Sequence, residues 1–195
     1  MTDVEQPPEG WSRGHPILSA IVQSALEATD ATNGWLLALD DESLRIVAAS
    51  GDHAQGVTGS VVAAGAGSAG FVAQSGQPLA TMARDDDPLV EAGVSALLGR
   101  RPVSLLSVPC TTDDGIIGVL ELTDKSGGQR FSFEDVELAT MLADIAAVTL
   151  AHVAGVVDVV PSPAQLAHQL TNLASADPSR YRAVAPAVEA LVTPD

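Results

Sequence analysis

From Ile17 onward apolar residues recur at helical spacing: Ile17, Leu18, Ile21, Val22, Ala25 and Leu26, with Ser19, Gln23, Ser24 and Glu27 on the other side. This predicts an amphipathic helix of about four turns, ending near Asn33 and Gly34, where a glycine suits a left-handed cap. Residues 35–39 and 44–49 read as two strands around the polar turn 40–43, forming a hairpin. A glycine-rich loop over 51–59 leads to Val61 and Val62. Gly65, Gly67 and Gly70 then precede Phe71, Val72 and Ala73, a loop entering a small helix with Ser68 as its cap.

Residues 77–82 form a short predicted strand. Asp85, Asp86, Asp87 and Pro88 open a helix that runs to about Leu98, an Asp cap with proline in the first turn being favourable stereochemistry. Two β-rich runs, 103–109 and 116–123, flank Thr112, Asp113, Asp114 and Gly115 and predict a second hairpin. Ser132, Phe133, Glu134 and Asp135 open the longest helix with an acidic variant of the capping box. It carries two apolar stripes. Leu138, Met141, Leu142, Ile145 and Val148 make one, and Val136, Ala139, Ala143, Ala146 and Leu150 the other. A helix apolar on two sides must bury both: one against the sheet, the other against the first helix, the tail or a second copy of the chain.

The order of elements gives an α+β fold with an antiparallel sheet and helices segregated to its faces. The expected organisation is a lead-in over 1–14, a domain over 15–154 and a helical C-terminal tail over 155–195. In the tail Leu166, Leu170 and Leu173 make one apolar edge, and Tyr181, Val184, Val188 and Leu191 another, with Pro186 as a break.

Composition narrows the function. The 195-residue chain is 46% apolar but only 3% aromatic, so aliphatic layers build the core. Its net charge of -16, with scattered basic residues, offers no cationic stripe for nucleic acid or anionic membranes. One cysteine, Cys110, excludes an internal disulfide and a thiol metal cluster. Residues 1–10 are polar, and no apolar run has the length of a membrane span. A cytoplasmic location is the expectation.

Several segments resemble the GAF family of sensor domains. Gly67, Ser68, Ala69 and Gly70 before Phe71 resemble its central glycine turn, and the run 104–109 its fourth main strand. The run 118–125, followed by Phe131, Glu134 and Asp135, resembles its closing strand and the entry to its last helix. The resemblance covers residues 17–153. It implies a non-enzymatic signalling module that holds a small ligand between the sheet and short helices on one face. On the other face the first and last helices would carry a homodimer. The alternative it leaves open is a protein-interaction module whose pocket is closed and empty. No output domain is recognisable.

On this resemblance the ligand-binding candidates are Ser68, Ala69 and Gly70, with Trp35, Leu89 and Leu106 as apolar walls. The backbone N–H groups of Ser68, Ala69 and Gly70 would open a helix and could accept a phosphate or carboxylate; the competing reading is that the glycines only permit a tight turn. The dimer candidates are Ile21, Leu138, Leu142 and Ile145. No cofactor, metal site or catalytic residue is expected. Relatives that bind cyclic nucleotides carry an Asn-Lys, Phe, Asp-Glu signature. Here Asp124, Lys125, Phe131 and Asp135 match in part, but Val136 replaces the Glu, so an ordering of the strand exit is favoured. The acidic run at Asp85, Asp86 and Asp87 reads as capping, Arg100 and Arg101 as surface ion pairs, and Cys110 as a small buried residue. A relative that reduces methionine sulfoxide uses several cysteines, a cycle one thiol cannot complete.

Overall fold

The computed structural model describes residues 15–40, 43–84 and 87–157, together with 171, 174, 175 and 178. The lead-in 1–14, the turn residues Asp41 and Glu42, Asp85 and Asp86, and most of the predicted tail lie outside the described residues. The chain divides into two compact units between Ala154 and Gly155. In the second, the described residues 155–157, 171, 174, 175 and 178 are helical, and Ser175 Oγ donates to Thr171 O.

Helix α1 spans Pro16–Thr29, with Pro16 in its first turn, where the missing N–H costs nothing. It ends four residues earlier than the glycine suggested, at Asp30, whose φ of 51° supplies the left-handed cap. Gly34 lies instead within the first strand. A Cβ there would meet Leu122 Cδ2 at 2.9 Å and Val22 Cγ1 at 3.0 Å, so its smallness lets α1 lie close on the sheet.

The strands are β1 Ala31–Asp40, β2 Ser43–Gly51, β3 Val61–Ala63, β4 Leu79–Met82, β5 Ser104–Thr112 and β6 Gly115–Lys125. They form one sheet in the order β3-β2-β1-β6-β5-β4, every neighbouring pair antiparallel. Both predicted hairpins are present: β1 pairs with β2, and β5 with β6 across Asp113 and Asp114. The outermost strands, β3 and β4, are the shortest, with three and four residues.

Strand alternation sorts side chains to two faces. Leu36, Leu106, Val108, Leu120 and Leu122 pack with Leu18, Val22 and Ala25 of α1. The same core includes Ala139, Ala143 and Ala146 of helix α5, Phe133–Val157. Trp35, Leu37, Ile46 and Val119 point the other way, toward Val72 and Val94. Those two come from the short helices α2, Gly67–Ser75, and α4, Val94–Leu98.

The alanine stripe of α5 is therefore its inner face. Met141, Ile145 and Val148 of the other stripe stay exposed, Ile145 at 50% and Val148 at 71%. The predicted capping box closes the start of α5. Ser132 Oγ accepts from Asp135 N at 3.2 Å, and Asp135 Oδ2 accepts from Ser132 N at 2.6 Å. Lys125 Nζ donates to Asp135 Oδ1 at 2.8 Å and to Thr29 O at 2.9 Å, tying the ends of β6, α5 and α1 together. Its ammonium also lies 5.8 Å from the Phe131 ring centroid. The partial nucleotide signature thus orders the strand exit.

The helix predicted to open at Asp85, Asp86, Asp87 and Pro88 and to run to about Leu98 is two helices, α3 Pro88–Glu91 and α4, broken at Gly93 with φ 66° and ψ −132°. Asp87 does cap α3, accepting from Leu89 N at 3.0 Å.

Candidate functional site

The site begins with one row across the sheet. Register pairs Ala49 with Trp35, Trp35 with Glu121, Glu121 with Ser107 and Ser107 with Leu79, so these five share a face. It is the face that α2 and α4 cover. Four of the five suit an aliphatic interior or are small. The fifth, Glu121, is a carboxylate buried to 2% exposure.

Helix α2 supplies what that carboxylate needs. Ser68 Oγ donates to Glu121 Oε2 at 2.5 Å, and Ser107 Oγ donates to the same oxygen at 3.1 Å. The backbone N–H of Ala69 also donates to the carboxyl. Burial nonetheless dominates and pushes the Glu121 pKa above its ordinary value, with the bonds from Ser68, Ser107 and Ala69 partly opposing it.

Beside Glu121 is a cavity of about 10 Å³, room for about one water. Trp35, Glu121 and Thr123 form its floor, and Val94, Ser95 and Leu98 of α4 its roof; Arg100 and Pro102 complete the rim. The Trp35 indole Nε1 is buried and has no hydrogen-bond partner. Arg100 donates through Nη1 to Asp124 Oδ2, and Asp124 Oδ1 accepts from Val103 N at 2.7 Å. On the outer side of α4 lies an open groove of about 260 Å³, lined by Val90, Glu91, Ser95 and Arg100 among others. Ser95 and Arg100 line both spaces.

The structure brings Trp35, Ser68 and Ala69 to this region and corrects other expectations. Ser68 does not cap α2: Ala66 is the N-cap and makes no side-chain bond, while the Ser68 hydroxyl is committed to Glu121. The carboxylate received at this helix start is the chain's own. Gly70 N–H is spent on Ala66 O at 3.1 Å, and a Cβ at Gly70 would lie 2.5 Å from Gly65 C, so this glycine serves the tight turn. Leu106 is on the opposite face, in the core under α1 and α5, because it is one residue out of phase with Ser107. Leu89 is half-buried in α3 and does not line the cavity.

Among the dimer candidates, Ile21 is 7% exposed and packs inside the chain's own core, leaving little of its side chain to meet a second copy. Leu138 and Leu142 are half-buried, and Ile145 is exposed. Cys110 is fully buried, and burial first, then the nearby Asp144, push its thiol up to about 12 despite an opposing bond to the Leu120 backbone. At that value it holds no reactive thiolate near neutral pH. Among the described residues no helix is long and apolar enough to cross a membrane.

Sequence reasoning missed Glu121. Val119, Glu121 and Thr123 alternate with Leu120 and Leu122, a pattern that ordinarily marks a solvent-facing edge of a strand. Only the covering by α2 turns that side into an interior.

Comparison with known proteins places these features in a family. The GAF domain family model matches residues 14–150. The second GAF domain of DevS from Mycobacterium smegmatis is 23% identical, with 71% of this chain and 94% of that one covered and a TM-score of 0.57. The GAF domain of a phosphoenolpyruvate-protein phosphotransferase from Coxiella burnetii is 21% identical, covering 71% and 82%, with a TM-score of 0.62. A type II free methionine-R-sulfoxide reductase from Thermoplasma acidophilum is 16% identical, covering 73% and 93%, with a TM-score of 0.57. At these identities the likeness is one of fold. No curated protein matches the sequence.

Proposed function

The chain belongs to the GAF domain family, and we propose that it is a regulatory module of the cytoplasm, answering a small molecule at the Trp35–Glu121 cavity. GAF domains are generally signalling and sensory modules rather than catalysts, although one structural neighbour is an enzyme. One observation carries the reading. One cavity is lined both by Glu121, a buried carboxylate, and by its strand neighbour Trp35, whose buried indole N–H is unpaired. Burying a charge costs several kcal/mol and an orphaned donor about 1–3 kcal/mol. Packing of the Trp35 ring and the bonds from Ser68 and Ser107 to Glu121 leave the indole N–H unpaired. A ligand that pairs both groups offsets the cost.

The cavity is far smaller than the roughly 300–1,000 Å³ of sites that enclose small molecules, so binding requires α4 to move. The test is a thermal-shift screen of small metabolites on the full-length protein, repeated on Glu121→Gln and Trp35→Phe. A compound that raises Tm in the wild type and loses its effect in both variants supports the reading. A hit indifferent to both variants places the site elsewhere.

A second reading rests on the exposed stripe Met141, Ile145 and Val148, to which Phe133 adds at the start of α5. We propose that this face docks a second copy, giving a homodimer that relays the state of the cavity, or else a protein partner. Strand β6 joins the two sides, since Glu121 faces the cavity while Leu120 and Leu122 face the helices. Ile145→Glu should leave the fold intact and yield monomers in size-exclusion chromatography with light scattering. A wild-type monomer at micromolar concentration would dismiss the homodimer.

A further inference from the structure

The cavity and the groove outside it differ in character but share a wall. Ser95 and Arg100 line both, and α4 is the partition between them. That partition is lightly held. Only Val94 of its five residues is fully buried. It is bounded by Gly93 and Gly99, whose φ values of 66° and 58° are in the region that glycine enters without strain. Rotation of α4 about these two glycines would join the small cavity to the groove of about 260 Å³.

The joined space carries groups of opposite kind at fixed places. Glu121 offers a carboxyl on the floor. Trp35 Nε1 is a donor with no acceptor. Arg100 brings a guanidinium to the rim; Asp124 engages one of its terminal nitrogens, and a guanidinium carries five N–H donors. Val94, Leu98 and Pro102 give apolar walls. A simple cation would answer Glu121 but leave the indole N–H orphaned. A simple anion would pair with the indole and Arg100 but face the carboxylate across the cavity. Only a molecule with both charges, one short link apart, satisfies all three.

We propose that the ligand of this site is a small zwitterion of the α-amino acid type, its ammonium on Glu121 and its carboxylate on Trp35 Nε1 and Arg100. Its side chain extends past α4 into the groove. This deepens the reading of the cavity as a small-molecule site and rests on it. Glu121 then has two roles: without ligand it is held by Ser68 and Ser107 under α2, and with ligand it also meets a cation. The ammonium joins Ser68, Ser107 and the Ala69 N–H around the buried carboxylate, and burial makes that pairing stronger than it would be at the surface.

The test uses the full-length protein and matched triplets of probes by thermal shift and tryptophan fluorescence. L-Alanine is compared with ethylamine and propionate, L-valine with isobutylamine and isovalerate, and L-leucine with isoamylamine and 4-methylpentanoate, each at about 10 mM so that weak binding registers. The remaining standard L-amino acids follow as single probes. The expected result is a rise in Tm with at least one amino acid, its amine and acid counterparts each binding about tenfold more weakly or worse, as the loss of one charge-assisted contact predicts. Glu121→Gln should remove the preference for the amino acid over the acid, and Trp35→Phe should reduce the preference over the amine. The proposal is overturned if no amino acid raises Tm, if the amine or acid alone binds as well, or if both preferences survive in both variants. Should a different, non-zwitterionic compound bind in a Glu121-dependent way, the ligand class fails while the site stands. Should no small molecule at all raise Tm, the site reading fails with it.

Discussion

Replacing Glu121 by Gln isolates the carboxyl proton while keeping an oxygen in place for Ser68 and Ser107. Below about pH 4.5, the ordinary value, Glu121 is protonated in folded and unfolded chains alike, and pH contributes nothing through it. Above that value the unfolded chain releases the proton. The folded chain retains it to a higher pH, because burial raises the pKa more than the donors from Ser68, Ser107 and Ala69 lower it. A raised folded pKa means stability present at low pH and lost as pH rises toward that pKa. For one proton the slope has a ceiling of about 1.4 kcal/mol per pH unit, which for a domain of this size is about 3–5 °C in Tm per unit. The variant lacks the proton and its slope, while all other titrations cancel in the difference. Tm of Glu121→Gln minus Tm of wild type, followed by circular dichroism from pH 4 to 8, should climb from about pH 4.5. It should level off where Glu121 ionises in the fold. A difference flat with pH would refute the reasoning, since it would mean that the folded and unfolded chains hold this proton equally.

Three further outcomes are expected. Gly118→Ala would place a Cβ 2.5 Å from Leu37 O and 2.9 Å from Leu150 Cδ1, so it should destabilise by about 1–3 kcal/mol in chemical denaturation; an unchanged midpoint would show that β6 and β1 can shift apart freely. Cys110 should react with a thiol reagent only in denaturant, its burial and a pKa of about 12 leaving no accessible thiolate; rapid labelling of the native protein would contradict both. Lys125→Met removes the partner of Asp135, whose side chain is 7% exposed, and the Lys125 contact to Thr29 O. The loss should be about 3 kcal/mol, as for one half of a largely buried pair. Desolvation works to raise the Asp135 pKa, but the bonds from Lys125 and Ser132 outweigh it and hold it below 3.8. The stability from this pair is therefore present above that value and lost as pH falls through the folded pKa. A denaturation midpoint unaltered at pH 7 and pH 3 would show the pair to be inert.

Much of the fold was legible because its elements are marked by local chemistry. The Ser132–Asp135 capping box, the Asp113–Asp114 turn and the Asp87 cap ahead of Pro88 each act within a few residues, and each stands where the sequence put it. What the sequence hid depends on contacts between distant segments. Gly34 reads as a helix stop, yet its smallness is demanded by Leu122, Val22 and Leu26. Leu106 and Ser107 are neighbours in a strand buried on both faces, so apolarity alone does not say which side each takes. Glu121 reads as a wet strand residue until α2 is laid over it. Ile21 was assigned to an outer contact because a helical stripe does not reveal which sheet it covers; here it is the chain's own.

The two rims of the sheet have a consequence for how the chain can associate. Among the described residues every long strand is paired on both sides, and only β3 and β4, three and four residues long, offer unpaired backbone. A neighbour trying to extend the sheet would find too few N–H and C=O groups in line to hold a strand. Runaway stacking of sheet upon sheet edge is thus discouraged, even in a chain this rich in valine and leucine. The bare side of α5 is left as the place where crowding at high concentration would first be felt.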